Sequence, residues 1–70
     1  MIVLSEFILN GESRPLEKPI RVARLLEDLG YAGKRVAVEK DGEIVPKSLH
    51  GATLIEPGNR IEIVVAVGGG

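Results

Sequence analysis

The sequence predicts an α+β fold in which a single helix packs on one face of a mixed sheet of four to five strands. Two turn motifs, Asn10-Gly11 and Asp41-Gly42, each lie between extended segments, and one amphipathic stretch lies between the two predicted hairpins. An alternating apolar segment follows towards residue 70. The 70 residues match the size of one small domain, and they contain no internal repeat.

The segment FILNGE predicts the first hairpin. A two-residue type I′ turn needs positive φ angles at both central residues, and Asn-Gly meets this requirement. We therefore expect one strand over about residues 3–9 and a second over residues 12–16. Because Pro15 lacks an amide hydrogen, the second strand should lie at an edge of the sheet or end near this residue.

The segment KPIRVARLLEDLGYAG predicts the helix. Its apolar residues recur at i, i+3, i+4 and i+7 and form one stripe, which consists of Val22, Leu25, Leu26 and Leu29. Pro19 suits the start of a helix, and Gly30 suits its end, where the left-handed conformation favours glycine. The opposite side carries charged residues, which we interpret as a solvated surface: Arg21, Arg24, Glu27 and Asp28.

The segment RVAVEKDGEIV predicts a second hairpin, in which Val36 and Val38 share one face. Residues 46–50 are predicted to be loop, and Gly58 suits a turn over residues 56–59. The last strand is RIEIVVAV. One of its faces carries Ile61, Ile63, Val65 and Val67, and the other carries Glu62, Val64 and Ala66.

Composition and charge limit the possible functions. The chain has no cysteine and one histidine, His50, so we expect no metal or other cofactor. Its core must be aliphatic, since 44% of the residues are apolar and Phe7 and Tyr31 are the aromatic ones. The net charge of −1 and the lack of a basic run argue against nucleic-acid binding. No segment resembles a membrane span or a secretory signal, so we expect a cytoplasmic protein without a membrane partner.

The inventory of side chains does not predict an enzyme. The serine residues have no plausible base partner except His50, and no glycine-rich phosphate loop opens a helix. We interpret His50 as a solvated loop residue, because a lone histidine needs partners to carry out chemistry.

The terminal VGGG is the strongest functional signal in the sequence. We divide the chain into a domain over residues 1–67 and a flexible glycine tail over residues 68–70. A frayed terminus would be the simplest explanation, but a bare glycine backbone can also thread a narrow channel in a partner. An α-carboxylate is a poor electrophile, and adenylation would make it a reactive acyl group. The tail could therefore be the reactive site of this chain, used as a substrate inside the active site of another protein.

Four segments give the chain its resemblance to a known family: FILNGE, RVAVEKDGEIVPKSLH, EPGNRIEIV and the terminal VGGG. Together they resemble the ThiS family, the small sulfur carrier proteins of thiamine biosynthesis. The resemblance implies a β-grasp, or ubiquitin-like, roll in which the last strand lies centrally beside the first. Asn59 departs from the family pattern, which usually has aspartate at this position, and we expect the change to affect the turn and not the function.

The resemblance also implies a reaction and its partners. Gly70 would accept AMP and then sulfur, while Gly68 and Gly69 would thread into the active site of the partner. A ThiF-type adenylating enzyme would use ATP to activate Gly70, and sulfur from a cysteine desulfurase would convert it to a thiocarboxylate. A ThiG-type thiazole synthase would take this sulfur to form the thiazole of thiamine.

Three alternatives remain open from the sequence. A molybdopterin-synthase small-subunit-type sulfur carrier resembles this chain in fold and tail, but such proteins are generally longer and lack the IVPKS segment. A ubiquitin-like modifier would join Gly70 to lysines of target proteins. An interaction module would not use its tail at all.

The outer face of the predicted sheet is a candidate surface for a partner. If Ile61, Ile63 and Val65 face the helix, then Val64 and Ala66 point outward, and we expect Ile8 to join them in an apolar patch. Such a patch would lie next to the tail and could dock the activating enzyme.

Overall fold

The computed structural model describes residues 5–66, which form a five-stranded sheet, a two-stranded sheet and one α-helix. The elements in chain order are β1 Glu6–Leu9, β2 Glu12–Pro15, β3 Ile20–Arg21, α1 Val22–Asp28, β4 Val36–Lys40, β5 Glu43–Val45, a 3-10 helix Lys47–Leu49, β6 Leu54–Ile55 and β7 Arg60–Val65. The large sheet has the order β2-β1-β7-β4-β5. β7 pairs parallel with β1 and antiparallel with β4, so the predicted mixed sheet and central last strand of a β-grasp roll are confirmed.

Both predicted hairpins are confirmed by their backbone angles. The φ angles are 49° at Asn10 and 84° at Gly11, and they are 50° at Asp41 and 86° at Gly42. These values are the left-handed conformations that a type I′ turn requires. The strand that contains Pro15 lies at the edge of the sheet, as its missing amide hydrogen predicts. β1 begins at Glu6, and the predicted start at residue 3 lies outside the described residues.

The side chain of Asn10 continues the pairing of β1 with β7 by one further residue. Its backbone N–H donates to the carbonyl of Ile61 at 2.9 Å. Its side-chain amide then donates to the carbonyl of Ile63 at 3.3 Å and accepts from the N–H of Ile63 at 2.8 Å. Asn10 therefore makes the turn and also satisfies two backbone groups of the central strand.

The predicted start of the helix at Pro19 is wrong. The helix begins at Val22, because the residues between Pro19 and the helix form β3, which pairs with β6. Ile20 lies opposite the fully buried Ile55, and this pairing keeps the chain extended up to the helix. The predicted glycine at the helix end is confirmed, since Gly30 has a φ angle of 80°.

His50 is buried, so its interpretation as a solvated loop residue is wrong. The segment before it is a 3-10 helix, which ends against the start of α1. The ring nitrogen Nε2 of His50 lies 3.1 Å from the carbonyl oxygen of Val45. The backbone carbonyl of His50 accepts from the N–H of Ala23 in the first turn of α1, at 2.9 Å. His50 thus joins the end of β5 to the start of the helix.

The core lies between the inner face of the large sheet and the helix, and it is aliphatic apart from Phe7. Val22, Val38, Ile55 and Ile61 are fully enclosed. Full burial of such a side chain contributes about 1.5–3 kcal/mol of transfer free energy. The other buried members are Phe7, Leu9, Leu16, Leu25, Leu26, Val45 and Ile63. The predicted helix stripe is confirmed, with Leu29 half-buried at its end.

Replacing His50 tests its bond to Val45. His50→Leu should lower the free energy of unfolding by about 1–3 kcal/mol, because the carbonyl of Val45 loses its donor in a buried place. His50→Gln keeps an N–H donor and should lose less. Urea unfolding of the wild type and both variants measures the difference. Equal stability of the Leu variant and the wild type would contradict this structural role.

Candidate functional site

The candidate site is the end of β7, where the chain leaves the sheet towards the terminal glycines. β7 ends at Val65, which lies opposite Val36 of β4. The N–H of Ala66 still donates to the carbonyl of Arg35 at 2.9 Å. The predicted site residues Gly68, Gly69 and Gly70 lie outside the described residues. The structure therefore describes the chain up to Ala66, which is still hydrogen-bonded to Arg35 two residues before Gly68.

One edge of β7 is left open just before Ala66. Asn10 donates to Ile61 and exchanges two bonds with Ile63, so the N–H and C=O groups of these odd-numbered residues point towards β1. By the same alternation, the backbone groups of Val65 point to that side. β1 has already turned away at Asn10-Gly11, and no strand within residues 5–66 pairs with Val65 there. This short edge could accept a strand from a partner.

The outer face of the sheet is turned away from the helix, as predicted. Val64 is 63% exposed and Ala66 is also exposed, whereas their neighbours Ile61 and Ile63 are buried. The sequence therefore predicted the direction of these side chains from the period of the strand.

The structure does not bring Ile8 into contact with Val64 and Ala66. Ile8 lies on the same outer face, but it is half-buried and lies opposite Arg60 in the register of β1 and β7. Val64 is four residues further along β7, which corresponds to about 13 Å. Ile8 thus belongs to the other end of this face.

An exposed residue that the prediction missed is Ile44, which is 74% exposed. It lies opposite Glu39 in the β4–β5 hairpin, and Glu39 lies opposite Glu62 in β7. Residues that lie opposite each other share a face, so Ile44 is on the outer face. The Asp41-Gly42 turn determines this register, so the outward direction of Ile44 could have been predicted from the sequence.

On the helix side, a groove of about 600 Å³ lies between the end of α1 and the 3-10 helix. Apolar residues such as Leu26 and Val36 line it together with the charged Lys34 and Lys47 and with His50. The Nε2 atom of His50 is held at the carbonyl of Val45, and no serine within residues 5–66 hydrogen-bonds to its ring. The groove therefore does not bring together a nucleophile and a base.

Asn59 and Asp41 form a polar link at the opposite end of β7. The side-chain oxygen of Asn59 accepts from the N–H of Glu56 at 2.7 Å, which closes the turn over residues 56–59. Its amide nitrogen donates to the carboxylate of Asp41 at 2.9 Å. An aspartate at position 59 would face that carboxylate without a proton to donate. The amide therefore suits this turn, which lies at the opposite end of β7 from Ala66.

The fold and the position of the last strand define a small β-grasp protein of the ubiquitin-like type. A solved structure with this fold is the crystal structure of a thiamine biosynthesis protein (ThiS) from Geobacter metallireducens. It superposes with a TM-score of 0.79 at 28% identity and covers 93% of this chain and 99% of that chain. The solution NMR structure of a thiamine biosynthesis protein from the same organism gives a TM-score of 0.76. It has 28% identity and covers 93% of this chain and 87% of that chain.

Curated relatives fall into two kinds. The thiazole synthase of Paramagnetospirillum magneticum is 40% identical over 65 residues, which are 93% of this chain and 20% of that protein. The uncharacterized protein ycf40 of Pyropia yezoensis is 36% identical over 62 residues, which are 89% of this chain and 87% of that protein. The chain therefore spans about a fifth of the thiazole synthases it matches and most of the ycf40 protein.

The model of the ThiS family matches residues 7–70. The chain therefore belongs to the ThiS family, and the resemblance found in its motifs is confirmed. Within residues 5–66, no helix is long and apolar enough to cross a membrane.

Deletion of residues 68–70 tests whether the glycines take part in the fold. Because glycine has no side chain to pack, the melting temperature should stay the same. Ile63→Ala is the contrasting change, since it removes buried atoms from the core and should cost about 2–5 kcal/mol. Thermal unfolding followed by circular dichroism compares the three proteins. A fall of several degrees in the deletion variant would mean that the glycines are structural.

Proposed function

We propose that this protein carries sulfur as a thiocarboxylate on Gly70 and delivers it for formation of the thiazole of thiamine. The observation that carries the proposal is the family match, which extends over residues 7–70 and so includes the terminal glycines. In this function the protein is not an enzyme. It is a substrate that other enzymes modify and then use.

The chemistry follows from the properties of a carboxylate. The α-carboxyl group has a pKa of about 3.3–3.7, so it is ionised at neutral pH and resists attack by a nucleophile. An oxygen of the carboxylate attacks the α-phosphorus of ATP, and pyrophosphate leaves. A sulfur nucleophile then attacks the acyl carbon of the adenylate, and AMP leaves. When that nucleophile is the outer sulfur of a desulfurase persulfide, the product is an acyl disulfide. A thiol reductant then supplies the two electrons that cleave its S–S bond, which gives the thiocarboxylate on Gly70 and the free thiol of the donor.

The structure supports this function through the strand that precedes the tail. β7 is held on one side by β4, and its pairing continues to Ala66 through the carbonyl of Arg35. An anchored strand lowers the conformational entropy that is lost when the following residues enter an active site. At the open edge of β7, the backbone N–H and C=O of Val65 offer one donor and one acceptor to a partner strand.

Two partners are proposed for the two halves of the reaction. A ThiF-type enzyme adenylates Gly70, and sulfur from a cysteine desulfurase then replaces the AMP. A ThiG-type thiazole synthase accepts that sulfur from the carrier. The second partner is supported by the thiazole synthase of Paramagnetospirillum magneticum, a fifth of which is similar to this chain. Fusion of a carrier-like region to a synthase would keep the two at high effective concentration.

Mass spectrometry tests the proposal directly. With the cognate ThiF-type enzyme, ATP, magnesium and a sulfur source, the protein should gain the mass of one sulfur minus one oxygen. Fragmentation should assign this gain to Gly70, and omission of ATP should abolish it, because an unactivated carboxylate has no good leaving group. No gain with an enzyme shown to be active would refute the sulfur-carrier function.

Two variants of the tail serve as controls in this assay. One residue appended after Gly70 should abolish the mass gain, because the carboxylate becomes an amide. Gly69→Val should impair it strongly without unfolding the protein, because a branched side chain obstructs a narrow channel. Transfer of the activated chain to lysines would instead assign a ubiquitin-like modifier, and sulfur delivery to a molybdopterin precursor would assign the other carrier class.

Val64→Glu tests the outer face as the docking surface of the activating enzyme. The side chain is 63% exposed, so the fold should tolerate the charge, whereas the affinity for the enzyme should fall. Calorimetric titration of both proteins with the ThiF-type enzyme measures this difference, with thermal unfolding as the check on folding. An unchanged affinity would limit recognition to the tail or the helix.

A further inference from the structure

The groove on the helix side of the sheet combines an apolar floor with a cationic rim. The floor, which is the more buried part of its lining, includes Leu26, Tyr31 and Val36, and all three pack in or against the core. The exposed charged residues of the rim are three cations and one carboxylate: Lys34, Arg35, Lys47 and Glu27. Because the chain as a whole has a net charge of −1, this excess of positive charge is local to the groove.

The cations of the rim are not neutralised by other groups within residues 5–66. The one ion pair in this range joins Arg24 to Asp28 on the helix. The other side-chain hydrogen bonds of its lysines and arginines are made by Arg21 and Lys40. Two rim cations come from the loop before β4 and the third from the 3-10 helix. An anionic group of a partner therefore meets positive charge from two segments without displacing an internal carboxylate.

Backbone hydrogen bonds hold both walls of the groove. In the wall after α1, the N–H of Tyr31 donates to the carbonyl of Leu26 at 2.8 Å, and the N–H of Lys34 donates to the carbonyl of Tyr31 at 3.0 Å. In the other wall, the carbonyl of His50 accepts from the N–H of Ala23 at 2.9 Å. A groove that is already formed in the free protein reduces the ordering that binding has to impose.

We propose that this groove binds a short acidic peptide segment of a partner protein, which places an apolar side chain on the floor and its carboxylates at the rim. A peptide fits better than a small anion, because the cations are exposed and lie on two segments, whereas a small-molecule site buries most of its ligand. Exposed ion pairs contribute little each, so the apolar side chain supplies a large part of the affinity.

The position of the groove relates such a partner to the end of β7. Val36 of the floor is the register partner of Val65, and the carbonyl of Arg35 in the rim accepts from the N–H of Ala66. A partner held in the groove therefore lies beside the last described residue and leaves the outer face of the sheet open. Binding there does not require sulfur transfer, so it can be tested on the unmodified protein.

NMR titration of the isotope-labelled full chain tests this site with defined probes. The capped peptide Asp-Glu-Phe-Asp-Glu should shift the amide signals of residues 31–36 and 47–51, with a Kd of about 1 mM or lower. Its phenylalanine offers a ring that can pack against Tyr31. A peptide with alanine in place of phenylalanine should bind more weakly, and one with lysines in place of the acidic residues should not bind. Inorganic phosphate and acetate at the same concentrations should leave these signals almost unchanged.

Removal of two rim charges gives the matched comparison. The Lys34→Gln/Lys47→Gln double variant should raise the Kd for the phenylalanine peptide about tenfold and keep its melting temperature, because both side chains are exposed. Lys18→Gln removes an exposed lysine outside the groove and should leave the Kd unchanged.

Three results would overturn the inference: no shift with the wild type, the same Kd for the double variant and Lys18→Gln, or equal binding of the lysine peptide. Shifts of the same size with phosphate or acetate would also overturn it, because the groove would then be a site for small anions. None of these results bears on the activation of Gly70, which the mass measurement tests separately.

Discussion

The central position of β7 is the constraint on which the rest of the molecule depends. This strand pairs with β1 on one side and with β4 on the other, so it joins the two hairpins into one sheet. Its inward residues Ile61 and Ile63 lie in the core beneath the helix, and Ile61 is fully enclosed. A strand held on both sides and by its side chains cannot move without breaking the core.

Polar groups at the ends of β7 determine where this pairing stops. At one end, Asn59 and Asp41 bond to each other and to backbone amides, which closes the turn before the strand. Towards the other end, the amide of Asn10 takes the place of a further residue of β1 and satisfies Ile63. Beyond Ile63 the strand is bonded to β4 alone among the described residues. The pairing thus becomes one-sided just before the glycine tail.

The two faces of the large sheet differ in burial. The inner face stabilises the fold through close packing of aliphatic side chains. The outer face of the sheet carries Glu39 opposite Glu62, together with the exposed Ile44 of β5 and Val64 of β7. The core therefore depends on the inner face, and the exposed apolar side chains lie on the outer one.

The sequence by itself determined those features that depend on residues close together in the chain. Asn10-Gly11 and Asp41-Gly42 specify their turns because their own φ angles are required there, and the hairpin register follows from the turn. The apolar stripe of the helix and the alternation in the last strand depend on a fixed period in the same way. The family motifs also predicted the strand order. Periodicity alone predicted the strands and the helix, but not which strands pair with each other.

The tertiary structure decided what depends on contacts between distant residues. His50 is buried where its ring bonds to the carbonyl of Val45 and its carbonyl accepts from the N–H of Ala23. No sequence pattern near position 50 predicts these two contacts. The helix starts after Arg21 and not at Pro19, because β6 lies beside the preceding segment. The parallel register of β1 and β7 separates Ile8 from Val64, although both face outward. Opposition of Glu39 and Glu62 likewise arises from pairing between strands distant in the chain, which the period of one strand does not determine.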